Sequence, residues 1–217
     1  FDTKPGGGWE YLGSDGPLRR GAAVAYDSSG ARLLLHGGKE LGSESISNDL
    51  WVHQEDGWSE LKLESSGQLP SLHDHAGVWD TLEERLFLFG GKNKENTSPG
   101  LWVVDSNHFL KPVESQTELA DQNSILSSDV VVKPALFHYA DGNRLIVVSR
   151  SALEAYAFEL GTQTWSQLVS KESEQQAYIQ AFFEPLGGKL LFGSSLKQSQ
   201  NMFWLGLNSN VVTTHKF

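Results

Sequence analysis

The feature that most constrains this chain is that it repeats itself. Ala22-Ala23-Val24-Ala25-Tyr26-Asp27 is answered by His75-Ala76-Gly77-Val78-Trp79-Asp80, 53 residues later. Arg32-Leu33-Leu34-Leu35-His36-Gly37-Gly38 is answered by Arg85-Leu86-Phe87-Leu88-Phe89-Gly90-Gly91 at the same offset, and Leu50-Trp51-Val52 by Leu101-Trp102-Val103 at 51. Three blocks in one order at one spacing define a structural repeat of about 50 residues. Two further copies keep the order while the residues drift. Asn143 to Ser149 leads to Ala155–Leu160 and then Thr164–Leu168; Gly188 to Gly193 leads to Met202–Leu207.

The recurring blocks are short, rich in Leu, Val, Phe, Tyr and Trp, and bounded by Gly, Asn, Asp and Ser. That is the pattern of strands. No window of helical length carries a sustained apolar 3.6-residue period between caps. Ser151 to Leu160 comes nearest, and its place in the repeat makes it a strand. Each unit then holds about four strands. They are expected near 22–27, 32–37, 49–54 and 58–63; then 74–80, 85–90, 100–105 and 109–113; then 132–139, 144–149, 154–160 and 165–169; then 178–184, 188–193, 201–207 and 211–215. Trp9-Glu10-Tyr11-Leu12 matches Trp58-Ser59-Glu60-Leu61, so a fourth-strand motif precedes the first unit.

A four-stranded sheet of this size cannot bury both of its faces alone. Radial packing of neighbouring sheets solves that, and the usual result is a β-propeller. The expected fold is all-β: a propeller of about four four-stranded blades over residues 9–215, preceded by a tail at 1–8. The repeats run near 19–63, 72–113, 130–169 and 177–215, with a polar insertion at 114–128 and a charged spacer at 171–176. Four units make either a small closed ring or part of a larger one, completed by further polypeptide or by a second chain.

The glycine pairs Gly37-Gly38 and Gly90-Gly91, the following Trp51 and Trp102, and the downstream Trp58 make the chain resemble the kelch-repeat family, in the galactose oxidase-like superfamily. Units three and four keep Trp165 and Trp204 but not the glycine pair. Paired glycines permit positive φ and close backbone approach where the chain leaves a strand sharply. Large aromatics such as Trp51, Trp58, Trp79 and Trp102 are expected to fill the wedges between sheets.

Composition narrows function. The net charge is −10, so a polyanion is repelled on average and nucleic acid is not an expected partner. No apolar run reaches the roughly 18–20 residues of a membrane-spanning helix, and no membrane partner is expected. The absence of cysteine excludes thiolate chemistry and the cysteine–tyrosine crosslink of galactose oxidase, and it suits a reducing, cytoplasmic setting. His73, Asp74 and His75 would bring two imidazoles to one strand face. Asp49 and His53 sit as in the iron-dependent plant specifier proteins, yet Ser45 stands where those place a carboxylate. No phosphate loop or nucleophile elbow is present.

The resemblance therefore implies a non-catalytic protein–protein interaction scaffold or adaptor without a cofactor, docking its partner on one loop face. Carried over by position, the docking residues are Arg19, Arg20, His73 and Asp74 before the first strands, and Lys39 and Lys92 after the glycine pairs. The rival readings are a metal-dependent propeller enzyme acting on a small molecule and a structural component of a larger assembly.

Overall fold

The computed structural model describes residues 15–64, 68–95, 100–114, 133–149, 154–170, 178–184, 188–196, 199–207 and 211–216. The tail, the motif at 9–12, the insertion at 114–128 apart from Glu114, and the spacer at 171–176 lie outside the described residues. Among the described residues the structure is all strand and turn, and no helix is long and apolar enough to cross a membrane.

Sixteen of the eighteen strands among the described residues form four antiparallel four-stranded sheets, and each sheet uses one stretch of sequence. Blade 1 is β2 (Ala23–Asp27), β3 (Arg32–His36), β5 (Leu50–Gln54) and β6 (Gly57–Glu60). Blade 2 is β7 (Ala76–Asp80), β8 (Arg85–Phe89), β9 (Leu101–Val104) and β10 (Leu110–Pro112). Blade 3 is β11 (Ala135–Tyr139), β12 (Arg144–Val148), β13 (Glu154–Glu159) and β14 (Thr164–Ser170). Blade 4 is β15 (Tyr178–Glu184), β16 (Lys189–Leu196), β17 (Ser199–Gly206) and β18 (Val211–Lys216). Strand order within each blade follows the sequence, so the chain zigzags outward and then starts the next blade at its innermost strand. This is a four-blade propeller-like arrangement. β13 carries a register shift at Ala155/Tyr156. The two remaining strands, β1 (Arg19–Arg20) and β4 (Lys39–Glu40), pair as a small sheet of their own.

Three hydrophobic wedges join the blades, and strict alternation along the strands supplies both sides of each. Alternate residues of blade 1, among them Ala23, Ala25 and Leu34, meet Leu86, Leu88 and Val104 of blade 2. The other face of blade 2, with Phe87, Phe89 and Leu101, meets Leu145, Val147 and Phe158 of blade 3. Blade 3 then sends Ile146, Val148 and Ala157 against Leu190 and Leu205 of blade 4. The central strands β8 and β12 read as continuous apolar runs because both of their faces are covered.

The described tryptophans divide between two environments; Trp9 and the side chain of Trp204 lie outside the described residues. Trp79 and Trp102 pack in the first wedge, and Trp165 packs in the second, 4.9 Å from the Phe158 ring centre. Trp51 does not fill a wedge. It is half-buried on the face of blade 1 that no described blade covers, and its indole N–H donates to Asp49 Oδ2 at 2.8 Å. Trp58, on outer strand β6, packs edge-on to His53 with ring centres 5.0 Å apart.

The glycine pairs do what their chemistry allows. Gly37 and Gly38 have φ of 62° and 88°, and Gly90 and Gly91 have 70° and 84°. A Cβ on Gly91 would lie 2.5 Å from the Cβ of His75 and 2.7 Å from the carbonyl oxygen of His73, so any side chain there displaces backbone.

The first turn of each of blades 1 and 2 is organised by one carboxylate. Asp27 accepts the amide N–H groups of Ser29 and Gly30 and the Nε–H of Arg32, at 2.8 to 3.0 Å. Asp80 repeats this with Leu82, Glu83 and Arg85. Blade 3 has Tyr139 in the same register, and there the Arg144 guanidinium lies 5.5 Å from the Tyr139 ring centre. A cation–aromatic contact thus replaces an ion pair between equivalent positions.

Candidate docking face

Strand direction gives the propeller two distinct ends. One end carries the tight turns after β2, β7 and β11. The other carries the loops that lead into those strands and the loops that follow the glycine pairs. All six residues expected to form a docking surface lie at this second end, and the backbone explains why. Arg19 pairs with Glu40 and Arg20 with Lys39 across β1 and β4. His73 and Lys92 exchange both of their backbone hydrogen bonds, at 2.9 and 2.8 Å. Asp74 donates its N–H to Gly21 O and accepts the N–H of Lys133, so it ties three successive blades together. Its φ of 57° turns the chain sharply between His73 and β7.

That turn separates the two histidines expected to share a strand face. The His73 Nδ1 lies 3.0 Å from Asp74 Oδ2, within the loop. His75 points inward instead, with its Nε2 2.8 Å from the Nδ1 of His36. Among the described residues, no three His, Asp or Glu side chains converge as a metal-binding group.

The side chains at this end fall into two clusters. In the first, the Arg19 guanidinium is mostly buried and donates to Asp49 Oδ2 at 2.9 Å; the same oxygen also receives the Trp51 indole N–H. Arg19 therefore holds the loop before β5 in place. Arg20 and Lys39 both pair with Glu44, at 2.6 and 2.8 Å; Arg20 and Glu44 are largely open to solvent, and Lys39 is partly buried. The Lys39 hydrogen bond and the charges of Lys39 and Arg20 lower the pKa of Glu44. In the second cluster, Asp74 sits between His73 and the Lys133 ammonium, which is 3.8 Å away.

The composition of the first cluster also includes two residues that sequence reasoning passed over. Leu18 and Leu41 are exposed at 62% and 60%, and Leu41 N–H donates to Leu18 O. They are brought together by the short β1–β4 sheet, beside Arg20 and Glu44, and a shallow hollow runs from Arg20 over Leu41 to Glu44. Neither leucine belongs to the repeat, so the strand pattern carried no signal for them. The surface thus offers apolar area framed by fixed charges of both signs.

A different kind of site lies at the opposite end. A cleft of about 250 Å³ opens between blades 1 and 2, lined by Leu34, Leu61, Trp79 and Leu86 and by the polar groups of Asp27, Arg32, Glu84 and His108. The Arg32 guanidinium stands 6.0 Å from the Trp79 ring centre, and the Trp79 indole nitrogen is buried there without a hydrogen-bond partner. The signal for this cleft was the repeated Asp-x4-Arg spacing of Asp27–Arg32 and Asp80–Arg85, which marks the turn and not a ligand.

Beneath the β1–β4 end, the His36–His75 contact links blades 1 and 2 in the core. Both rings are buried, and burial lowers both pKa values: to about 3 for His36, and well below the ordinary range for His75, where His36 and His73 add to the effect and Asp74 opposes it. The folded chain holds both neutral, while the unfolded chain protonates near the ordinary histidine pKa of about 6.5. Stability from this source is therefore complete above about pH 6.5. It is lost as pH falls below that value, over a range that for His36 extends toward about 3. The thermal midpoint should drop from pH 7 to pH 5, and the drop should shrink in His36→Phe/His75→Ala. Equal drops in the two proteins would exclude the pair as its source.

No protein-family model matches this chain, and no curated protein sequence does.

Proposed function

We propose that the chain is a kelch-type interaction scaffold that docks a protein partner on the β1–β4 end. The observation that carries this reading is the Leu18/Leu41 pair, held on a short sheet and flanked by Arg20, Lys39 and Glu44. Interfaces draw on an apolar centre inside a polar rim, and a propeller supplies a rigid base for loops. Fold analogy points the same way, since propellers commonly act as scaffolds. A negatively charged molecule with this patch is better suited to a protein than to a nucleic acid. His73, Asp74 and Lys92 extend the surface toward blade 2. The absence of cysteine fits work in a reducing, cytoplasmic compartment.

Affinity purification with mass spectrometry tests the reading. Wild type should recover a partner in near-stoichiometric amount, and Leu18→Ser/Leu41→Ser should lose it at least tenfold with an unchanged circular dichroism spectrum and melting curve. Equal recovery by the folded double variant would move the docking surface elsewhere.

A further inference from the structure

The repeat gives every residue an equivalent in the other blades, and that equivalence exposes an inconsistency at one end of the series. Leu33 aligns with Leu86, Leu145 and Leu190 through the matching strand registers. Those three are 2%, 0% and 0% exposed; Leu33 is 38% exposed. Val24 and Tyr26 lie on the same face of blade 1 and are 53% and 57% exposed. Their counterparts in blade 2, Gly77 and Trp79, face blade 1. On blade 4 the opposite face shows the same thing. Phe182 is 61% exposed, whereas its counterparts Ala25, Val78 and Phe137 all lie against the next blade. If blades 1 and 4 were packed on each other, Tyr26 and Phe182 would both be covered. Among the described residues, blades 1 and 4 thus each present one uncovered face.

We propose that the exposed face of blade 1 docks a further blade of the same repeat, supplied by polypeptide other than these 217 residues. Two observations select this occupant. The first is polarity. At all three existing junctions, the face equivalent to Val24, Tyr26 and Leu33 meets the opposite face of the preceding four-stranded sheet, which presents alanine at the start of its first strand: Ala23, Ala76 and Ala135. The missing neighbour is thus a sheet with small residues on its inner strand, not a helix. The second is the Trp9-Glu10-Tyr11-Leu12 motif. It carries the fourth-strand pattern of Trp58–Leu61, yet each described blade already has its own fourth strand, β6, β10, β14 or β18. The motif is one in excess, and in the sequence it precedes blade 1. A second copy of the chain would bring a complete blade 4 and leave the motif without a sheet.

The test uses the full chain and a fusion. Light scattering of the 23.9 kDa chain should give the monomer mass, and Tyr26 should be nitrated readily by tetranitromethane, read peptide by peptide. A duplicate of residues 19–54, the three inner strands of blade 1 with their loops, is then fused ahead of residue 1. The added strands should be protected from hydrogen exchange, and nitration of Tyr26 should slow at least tenfold. Ala23→Glu/Ala25→Glu within the added segment alone should restore the rate. Three results overturn the proposal: a dimer of the unfused chain that Tyr26→Glu abolishes, an added segment that exchanges as unfolded chain, or a folded segment that leaves Tyr26 as reactive as before.

Discussion

Phe87→Ala should cost about 3–5 kcal/mol of folding stability, the range for removing a fully buried phenylalanine. In a chain of this size that is a fall of roughly 6–20 °C in thermal midpoint, at about 2–4 °C per kcal/mol. The reason is position. Phe87 is 1% exposed and sits at the centre of β8, where its ring enters the wedge between blades 2 and 3 with Leu145 and Phe158. The Arg85 guanidinium lies 5.0 Å from the ring centre and closes one side. A cavity there cannot collapse without moving a whole sheet against its neighbour, so the cavity term is retained along with the transfer term. Trp51→Ala removes a larger ring from the third strand of blade 1, yet its face of that blade is uncovered and the ring is only half-buried. Urea denaturation of the two variants should place Phe87→Ala clearly below Trp51→Ala. The reverse order would mean that the wedges are not the main source of stability.

That contrast also marks how far the sequence could be read. The strands were legible because blade interiors encode themselves: β8 and β12 must be apolar on both faces, and a repeat at a fixed offset repeats the requirement. The sixteen blade strands fall within a few residues of the positions the repeat implies, including Glu154–Glu159, where a helical reading competed. Trp51 was misplaced because a single unit does not say which of its faces has a neighbour. The motif is the same in blades 1 and 2, but only in blade 2 does another sheet cover the equivalent ring. The β1–β4 sheet was illegible for a different reason. It is held by backbone hydrogen bonds, which any residue can make, so Arg19, Arg20 and Lys39 announce charge but not pairing. The His36–His75 contact joins residues 39 positions apart, and only the packing of one blade on the next creates it. The expected docking residues share one end of the molecule, and this much was readable from their places in the repeat. What was not readable is that Arg19 is tied down by Asp49, while Leu18 and Leu41 stand free beside it.

Asp80→Ala should be as damaging as a core truncation, at about 3–5 kcal/mol. The carboxylate is 1% exposed and accepts hydrogen bonds from three groups. Oδ1 accepts the N–H of Leu82 at 2.9 Å and of Glu83 at 3.3 Å, and Oδ2 accepts Arg85 Nε–H at 2.8 Å. His138 Nε2 of blade 3 lies 3.4 Å from Oδ1, outside hydrogen-bonding alignment, in surroundings whose burial lowers its pKa. Alanine removes the acceptor for two turn amides and leaves the Arg85 guanidinium next to a void at the blade 2–blade 3 junction. Asp105, in the same blade, is a close control. It caps a turn with the amides of Asn107 and Phe109 and pairs with Lys111 at 3.2 Å, but its interactions are at the surface, where water replaces what is lost. Asp105→Ala should therefore cost far less than Asp80→Ala in the same denaturation experiment, though the two turns look alike in outline. Asp80→Asn should fall between them, since it keeps an acceptor for the turn amides and removes the charge facing Arg85. Equal losses at Asp80 and Asp105 would show that the turn alone matters and that burial at the blade junction adds nothing. A small loss at both would place the repeated Asp-x4-Arg spacing outside the forces that hold the blades together.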